Sequence, residues 1–315
     1  MAVPVLVAAG PRRPSSTGRR AVAVGNFDGV HLGHARIVER LLEAGRRLDV
    51  PSAVLTFDPH PALLLRPQSA PVPLTTPARR AELLVAAGVD AVFVQPVDAA
   101  LLALDARGFY RRVLRGALDA AAIVEGHDFR FGAGRAGDMD LLRRLGAEEG
   151  VEVAGVEAVL VGGEPVSSSR VRTLVAAGDV AAAAALLAAP YRISGEVVHG
   201  RARGRTLGFP TANLASVATL LPAPGVYAGR ARVAGSADPW RAAAIHLGTP
   251  VTFGAAAAAT VEVHLVGFDG DLYGRRLDVD FLARLRDTRR FDSPAELAGQ
   301  LAADVAGAAA VAGGE

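Results

Sequence analysis

The chain has 315 residues, 51% hydrophobic and 21% charged, enough for two domains that each bury a core. It has no cysteine, and all 34 of its basic residues are arginine. That excludes disulfides, thiolate metal sites, lysine Schiff bases and a Walker-type phosphate loop, so any phosphate clamp must use arginine, histidine, hydroxyls, backbone N–H groups or a metal ion.

The formal net charge is only +2, so the pI near 9.5 is no argument for nucleic-acid binding. The apolar run Val3 to Ala9 has its arginines after it, the wrong order for a secretory signal, and is too short to span a bilayer. A cytoplasmic location is expected.

From residue 20 to about 188, short β-branched runs alternate with helical patterns. Strands are predicted at Arg20–Val24, Ala53–Phe57, Ala91–Gln95, Ala121–Glu125 and Val151–Val156, and helices at His31–Arg47, Ala78–Ala87, Asp105–Arg115 and Asp140–Glu149. Thr76 and Pro77 suit the N-cap and first turn of the second helix. This alternation predicts a parallel sheet covered by helices, with ligands at the carboxyl ends of the strands. After Pro190 the runs Ile193–His199, Gly225–Val233, Arg241–Leu247 and Thr260–Val266, separated by turn signals, predict an antiparallel barrel or sandwich. Ser293, Pro294 and Glu296 read as a capping box opening a last helix, with a frayed tail from Ala306.

The first strand runs into Gly25-Asn26-Phe27-Asp28-Gly29-Val30-His31-Leu32-Gly33-His34. Its glycines allow close backbone approach, and a helix starting near Val30 would offer N–H groups to an anion. His31 and His34, three apart, share one face of the first turn, an arrangement suited to phosphate. The bland alternative is a pair of capping or solvated histidines. Gly132, Gly134 and Gly137 match a dinucleotide fingerprint, but Gly126–Phe131 separates them from the strand, so they read as a mobile loop. Farther on, Gly200, Gly204 and Gly208 with Thr211 and Asn213 combine a glycine loop with oxygen donors that suit Mg²⁺, or equally form a turn-rich barrel loop. Arg201, Arg203 and Arg205 in that loop fit a phosphate better than a nucleic acid. Glu262 and His264 share one face of a strand, and Glu262 is a candidate general base.

The segments Gly25–His34, Thr56–Pro61, Gly126–Gly132, Val166–Arg172 and Pro210–Asn213 occur in the order, and nearly throughout the length, that resembles the bacterial bifunctional riboflavin kinase/FAD synthetases. The resemblance implies an α/β nucleotidyltransferase-type parallel-sheet domain over residues 1–188. An antiparallel β-barrel kinase domain with a C-terminal helix would occupy 189–315. It further implies that riboflavin is phosphorylated to FMN and FMN adenylylated to FAD, with ATP as co-substrate and Mg²⁺ as cofactor. In the first domain His31 and His34 would contact ATP phosphates, framed by Gly25, Phe27 and Asp28, with Ser168, Ser169 and Arg172 on the other side. Phe57, Asp128 and Phe131 would line the flavin. In the second, Thr211 and Asn213 would hold Mg-ATP, Glu262 would be the base, and Arg286 would touch flavin or nucleotide. Ser169 stands where the family more often has threonine, and Pro250 is displaced by one position from the family's usual loop. The displaced proline motivates one alternative, an FAD synthetase with an impaired kinase; another is a catalytically dead flavin-binding regulator.

Overall fold

The structure is a computed structural model that describes residues 5–9, 18–200, 207–248 and 260–313. The chain divides into two compact units, Met1–Ser168 and Ser169–Glu315.

The first unit is built on six strands: β1 Val5–Ala9, β2 Arg20–Val24, β3 Ser52–Asp58, β4 Ala91–Pro96, β5 Ala120–Gly126 and β6 Glu152–Val156, in spatial order β1-β4-β3-β2-β5-β6. Strands β2 to β6 are parallel, as expected from the alternation of elements. The apolar run near the N-terminus corrects the wholly parallel expectation, because β1 pairs antiparallel with β4 at the sheet edge. Val5, Leu6 and Val7 are all exposed, so no buried alternation marked this segment as a strand.

Helices α1 Leu32–Leu48, α2 Pro61–Leu65, α3 Pro77–Ala86, α4 Ala99–Leu102, α5 Ala106–Phe109 and α6 Met139–Glu148 flank the sheet. Successive residues of β2 face opposite ways, as the strand period requires. Ala21 and Ala23 pack with Val38, Leu41, Ala81 and Leu84 of α1 and α3. Val22 and Val24 pack with Leu101, Tyr110, Leu142 and Leu145 on the other face. The stretch Asp105–Arg115, predicted as one helix, is the short α5 running into a π-helix at Tyr110–Ala117. Thr76 caps α3 by accepting from Arg79 N at 3.2 Å, with Pro77 in the first turn as predicted. A two-strand hairpin, β7 Leu160–Val161 and β8 Glu164–Pro165, follows β6.

Helix α7 Ser168–Ala177 starts at the junction, and α8 Val180–Leu186 packs on the second unit's strands. Those strands are β9 Tyr191–Val198, β10 Ala212–Ala215, β11 Gly225–Val233, β12 Arg241–Gly248, β13 Thr260–Leu265 and β14 Arg276–Arg286. They close into an antiparallel barrel in the order β10-β13-β12-β11-β14-β9, with β9 also paired to β10. Ile193, Tyr227, Ile245, Val263, Leu277, Val279 and Phe281 are completely buried. Helix α9, Pro294–Gly313, packs against β11, β12 and β14. Ser293 Oγ accepts from Glu296 N at 3.2 Å as the predicted N-cap, while the Glu296 carboxylate accepts from Asp292 N at 3.1 Å, one residue before the cap, instead of closing on Ser293 N. The tail is not frayed at Ala306: the helix runs on to Gly313, with Ala308 fully buried and Asp304 held by Arg286.

Candidate active sites

The chain leaves β2, goes to β3 and β4 on one side, then returns to β5 on the other. The crevice beyond the β2 and β5 carboxyl ends is therefore the switch point where ligands of such sheets bind. The glycine-rich turn lies there. Phe27, Gly29 and Val30 all have positive φ, so the turn is tightly coiled and the helix starts one residue after the predicted His31, at Leu32 with His31 as N-cap. His31 Nδ1 accepts from His34 N at 3.3 Å, so this histidine does cap the helix. The His31 and His34 rings also stack, with centroids 3.7 Å apart and planes 16° from parallel. Phe27, buried in the core, supports His34 from 4.9 Å.

Asp28 points inward. It accepts from Leu74 N, Thr75 N and Thr75 Oγ1 at 2.9 Å each, and pairs with Arg80 at 3.7 Å. Arg80, 5% exposed, donates to Thr56 Oγ1 at 2.7 Å and to the Phe57 carbonyl at 3.3 Å. Thr75 Oγ1 in turn accepts from Gly29 N at 3.1 Å. Asp28 thus frames the turn from beneath, and Arg80 and Thr75 are its partners. Sequence reasoning missed both, since no local pattern links Asp28 to residues 46 and more positions away. Ser168 Oγ donates to the Asp28 carbonyl at 2.9 Å, fixing the end of the hairpin segment to the same turn.

These charges act on His34. Among the described residues its buried Nδ1 has no hydrogen-bond partner. Burial, then neighbouring His31 and Arg80, push its pKa well below the ordinary imidazole value. Deeper in the crevice Glu125, 2% exposed, accepts from Val24 N at 2.6 Å, and burial pushes its pKa well above the carboxylate range. The β2–β5 ladder is registered only from Arg20 to Val22, so Glu125 serves the amide that the ladder leaves.

The three expected flavin-lining residues are placed differently. Phe57 is half-buried on the core, Asp128 is exposed, and Phe131 is 4% exposed and stacked on Phe129 at 5.6 Å. The loop reading of Gly132, Gly134 and Gly137 agrees with a 3₁₀ turn at Ala133–Arg135, but this loop is closely packed. A side chain at Gly137 would strike the Phe131 ring at 2.7 Å. Ser169 is exposed and Arg172 half-buried on α7.

In the barrel, Asn213 of β10 pairs directly with Glu262 of β13, which pairs on its other side with His246 of β12. Directly opposed antiparallel residues share a face, so amide, carboxylate and imidazole form one row on the half-exposed outer surface. Gly200 lies against Asn213: a methyl group there would fall within the carboxamide. Thr211 lies immediately before β10. Gly208 has a φ of 83°, while Gly204, the three loop arginines and Pro250 lie outside the described residues. Arg286 is engaged elsewhere: its guanidinium forks onto Asp304 at 2.9 and 2.6 Å and donates to the Asp287 carbonyl, bracing β14 to α9.

Residues 13–170 match the family model described as FAD synthetase, and residues 187–312 the one described as riboflavin kinase. The chain is 40% identical, over 95% of both chains, to a bifunctional riboflavin kinase/FMN adenylyltransferase from Pseudomonas fluorescens. It is 38% identical, over 90% of both, to the protein of that name from Escherichia coli K12. A crystal structure described as a macrolide-efflux protein from Streptococcus pneumoniae matches with a TM-score of 0.82 and 34% identity, covering 91% of this chain and 93% of its own. Efflux is said of that protein and has no counterpart in the two family models. Among the described residues no helix is long and apolar enough to cross a membrane.

Proposed function

The chain belongs to the bifunctional riboflavin kinase/FMN adenylyltransferase family, and from that premise we propose how its residues divide the work. It is an enzyme that phosphorylates riboflavin to FMN and adenylylates FMN to FAD, with ATP as co-substrate. The observation that carries the assignment is that two separate polar constellations are built, His31 with His34 above Arg80 in the first unit and Asn213 beside Glu262 in the second.

In adenylylation a phosphate oxygen of FMN bonds to the α-phosphorus of ATP and pyrophosphate leaves. The nucleophile is already anionic, so the site needs alignment and charge neutralisation, not a base. His31 and His34 supply imidazoles where phosphate oxygens gather charge, and Arg80 adds a fixed positive charge beneath them. Gly25 lets the nucleotide approach the turn, while Phe27 and Asp28 hold it in shape. Ser168, Ser169 and Arg172 are assigned to phosphate, and Phe57, Asp128 and Phe131 to the flavin side, on the family motifs. Phe131 would act there from the core, by supporting Phe129.

In the kinase step the riboflavin 5′-hydroxyl is neutral. Glu262 accepts its proton as the oxygen bonds to the γ-phosphorus and ADP departs. Thr211 and Asn213 offer oxygens that fit Mg²⁺, and Gly200 leaves the carboxamide room. When bound, Mg²⁺ neutralises charge on the transferring phosphates. Arg286 then belongs to the scaffold. A cytoplasmic location fits an enzyme that consumes ATP in both steps.

Product analysis with riboflavin, ATP and Mg²⁺ tests the whole reading, and both FMN and FAD should form. FAD formed only when FMN is supplied would favour the impaired-kinase alternative; flavin binding without turnover would favour the regulator. Glu262→Ala should suppress FMN formation and spare FMN adenylylation, and His31→Ala should let FMN accumulate without FAD. Loss of both activities from either change in a folded protein would refute the two-site assignment.

A further inference from the structure

We infer that His264 is a positioning residue for the kinase step, holding the nucleotide-binding turn in register with the base. This rests on the assignment of Thr211, Asn213 and Glu262 to the kinase site. Thr211 precedes the first residue of β10, so no ladder pair fixes it. The residue before it, Pro210, has no N–H to donate. Its carbonyl is instead met by His264 Nδ1 at 2.8 Å, 54 residues away in the chain. The neighbouring Phe209 ring stands edge-on to the same imidazole, 5.8 Å between centroids and 69° between planes. One histidine therefore touches both residues that lead into Thr211.

Its place on the strand gives this contact a role. His264 is two positions beyond Glu262 on β13, so both side chains leave the same face. Strand β13 is itself registered to β10 through Asn213↔Glu262 and Ala212↔Val263. The base, its amide neighbour and the anchor of the turn are thus tied to one short stretch of ladder. A carbonyl only accepts, so Nδ1 carries the hydrogen and donates. Removing that donor leaves the turn before Ala212 held to the strand that carries the base by the ladder pairs alone.

The decisive comparison is His264→Phe against His264→Asn. Phenylalanine keeps a ring against Phe209 but has no donor; the asparagine amide nitrogen can take the place of Nδ1. In the riboflavin kinase assay His264→Phe should raise KM for Mg-ATP roughly three- to tenfold, the worth of one hydrogen bond, with a smaller change in kcat. The Mg²⁺ concentration for half-maximal rate should rise with it. His264→Asn should recover most of both, and FMN adenylylation by the same preparations should be unchanged. The inference is overturned if His264→Phe leaves KM for Mg-ATP at the wild-type value, or if His264→Asn is no better than His264→Phe, the result expected of plain packing. Glu262→Gln, assayed alongside, separates the two levels: an undiminished kinase rate would overturn the site assignment itself. Its loss beside a silent His264→Phe would overturn only the role of His264.

Discussion

His31 and His34 lie face to face at 3.7 Å because the residue between Leu32 and His34 has no side chain: a Cβ on Gly33 would come within 3.1 Å of the His31 ring. The motif is therefore a steric device as well as a pair of ligands. Burial drives His34 toward the neutral form, and the neighbouring His31 and Arg80 push the same way.

Gly33→Ala should displace the His31 ring by a few tenths of an ångström while leaving the helix intact, since alanine favours it. The rate of FMN adenylylation should fall about tenfold, because small misplacements of positioned groups are costly. Riboflavin phosphorylation by the same protein should not change. Steady-state assays of the two half-reactions check this, and a variant with wild-type adenylylation would show that the close packing is incidental.

The depressed pKa of His34 predicts proton uptake on nucleotide binding. Near pH 6.5, the ordinary imidazole value, the free site holds this ring neutral. A triphosphate beside it offsets the field of Arg80 and His31 and raises its pKa, so a proton is drawn from solution. Calorimetric titration of ATP into wild-type protein, in buffers of different ionisation enthalpy, should show net uptake, and His34→Asn should show less. Equal proton counts in the two proteins would contradict the assignment. The unliganded fold should also lose stability as pH falls below about 6.5, where only the unfolded chain takes up this proton.

Glu125 predicts the opposite slope. Its pKa is raised in the fold, so between the unfolded value and the folded one the native state holds the extra proton. Stability from this group is fully present below about pH 4.5 and declines as pH rises to its folded pKa. Glu125→Gln retains an oxygen for Val24 N and cannot ionise. Urea unfolding across pH should show the variant level with wild type at the acid end and more stable at the alkaline end. Parallel curves would mean that the carboxyl ionises without penalty.

Gly200→Ala should act on the kinase alone. The added methyl group must push the Asn213 carboxamide aside, so the KM for Mg-ATP should rise by about tenfold or more, while FMN adenylylation continues. Unchanged Mg-ATP kinetics would remove Asn213 from the site.

Much of this was readable in the sequence because it is local. Strand β2, the turn after it and the helix carrying His34 are contiguous, and the strand's bounds coincide with those expected. The shared strand face of Glu262 and His264 is legible through period-two alternation, and the last helix through its Ser293 N-cap. What escaped depends on contacts that no local window contains. Arg80 reads as an ordinary surface arginine of an amphipathic helix until the fold brings Asp28 and Thr56 to it. Helix α1 starts one residue late because His31 keeps extended N-cap backbone after a Val30 that the turn holds in a left-handed conformation unusual for a β-branched residue. The Arg286–Asp304 pair is invisible locally because Asp304 lies on a helix whose docking the sequence does not specify.

Strand β10 is four residues long, yet it is the stave that completes the ring, bonded to β9 on one flank and β13 on the other. A barrel missing that stave has no seat for Leu214 and sets no carboxamide beside Glu262. If Asn213 and Glu262 carry phosphotransfer as proposed, that activity needs a closed ring, and FMN production during refolding would report when β10 has joined both neighbours.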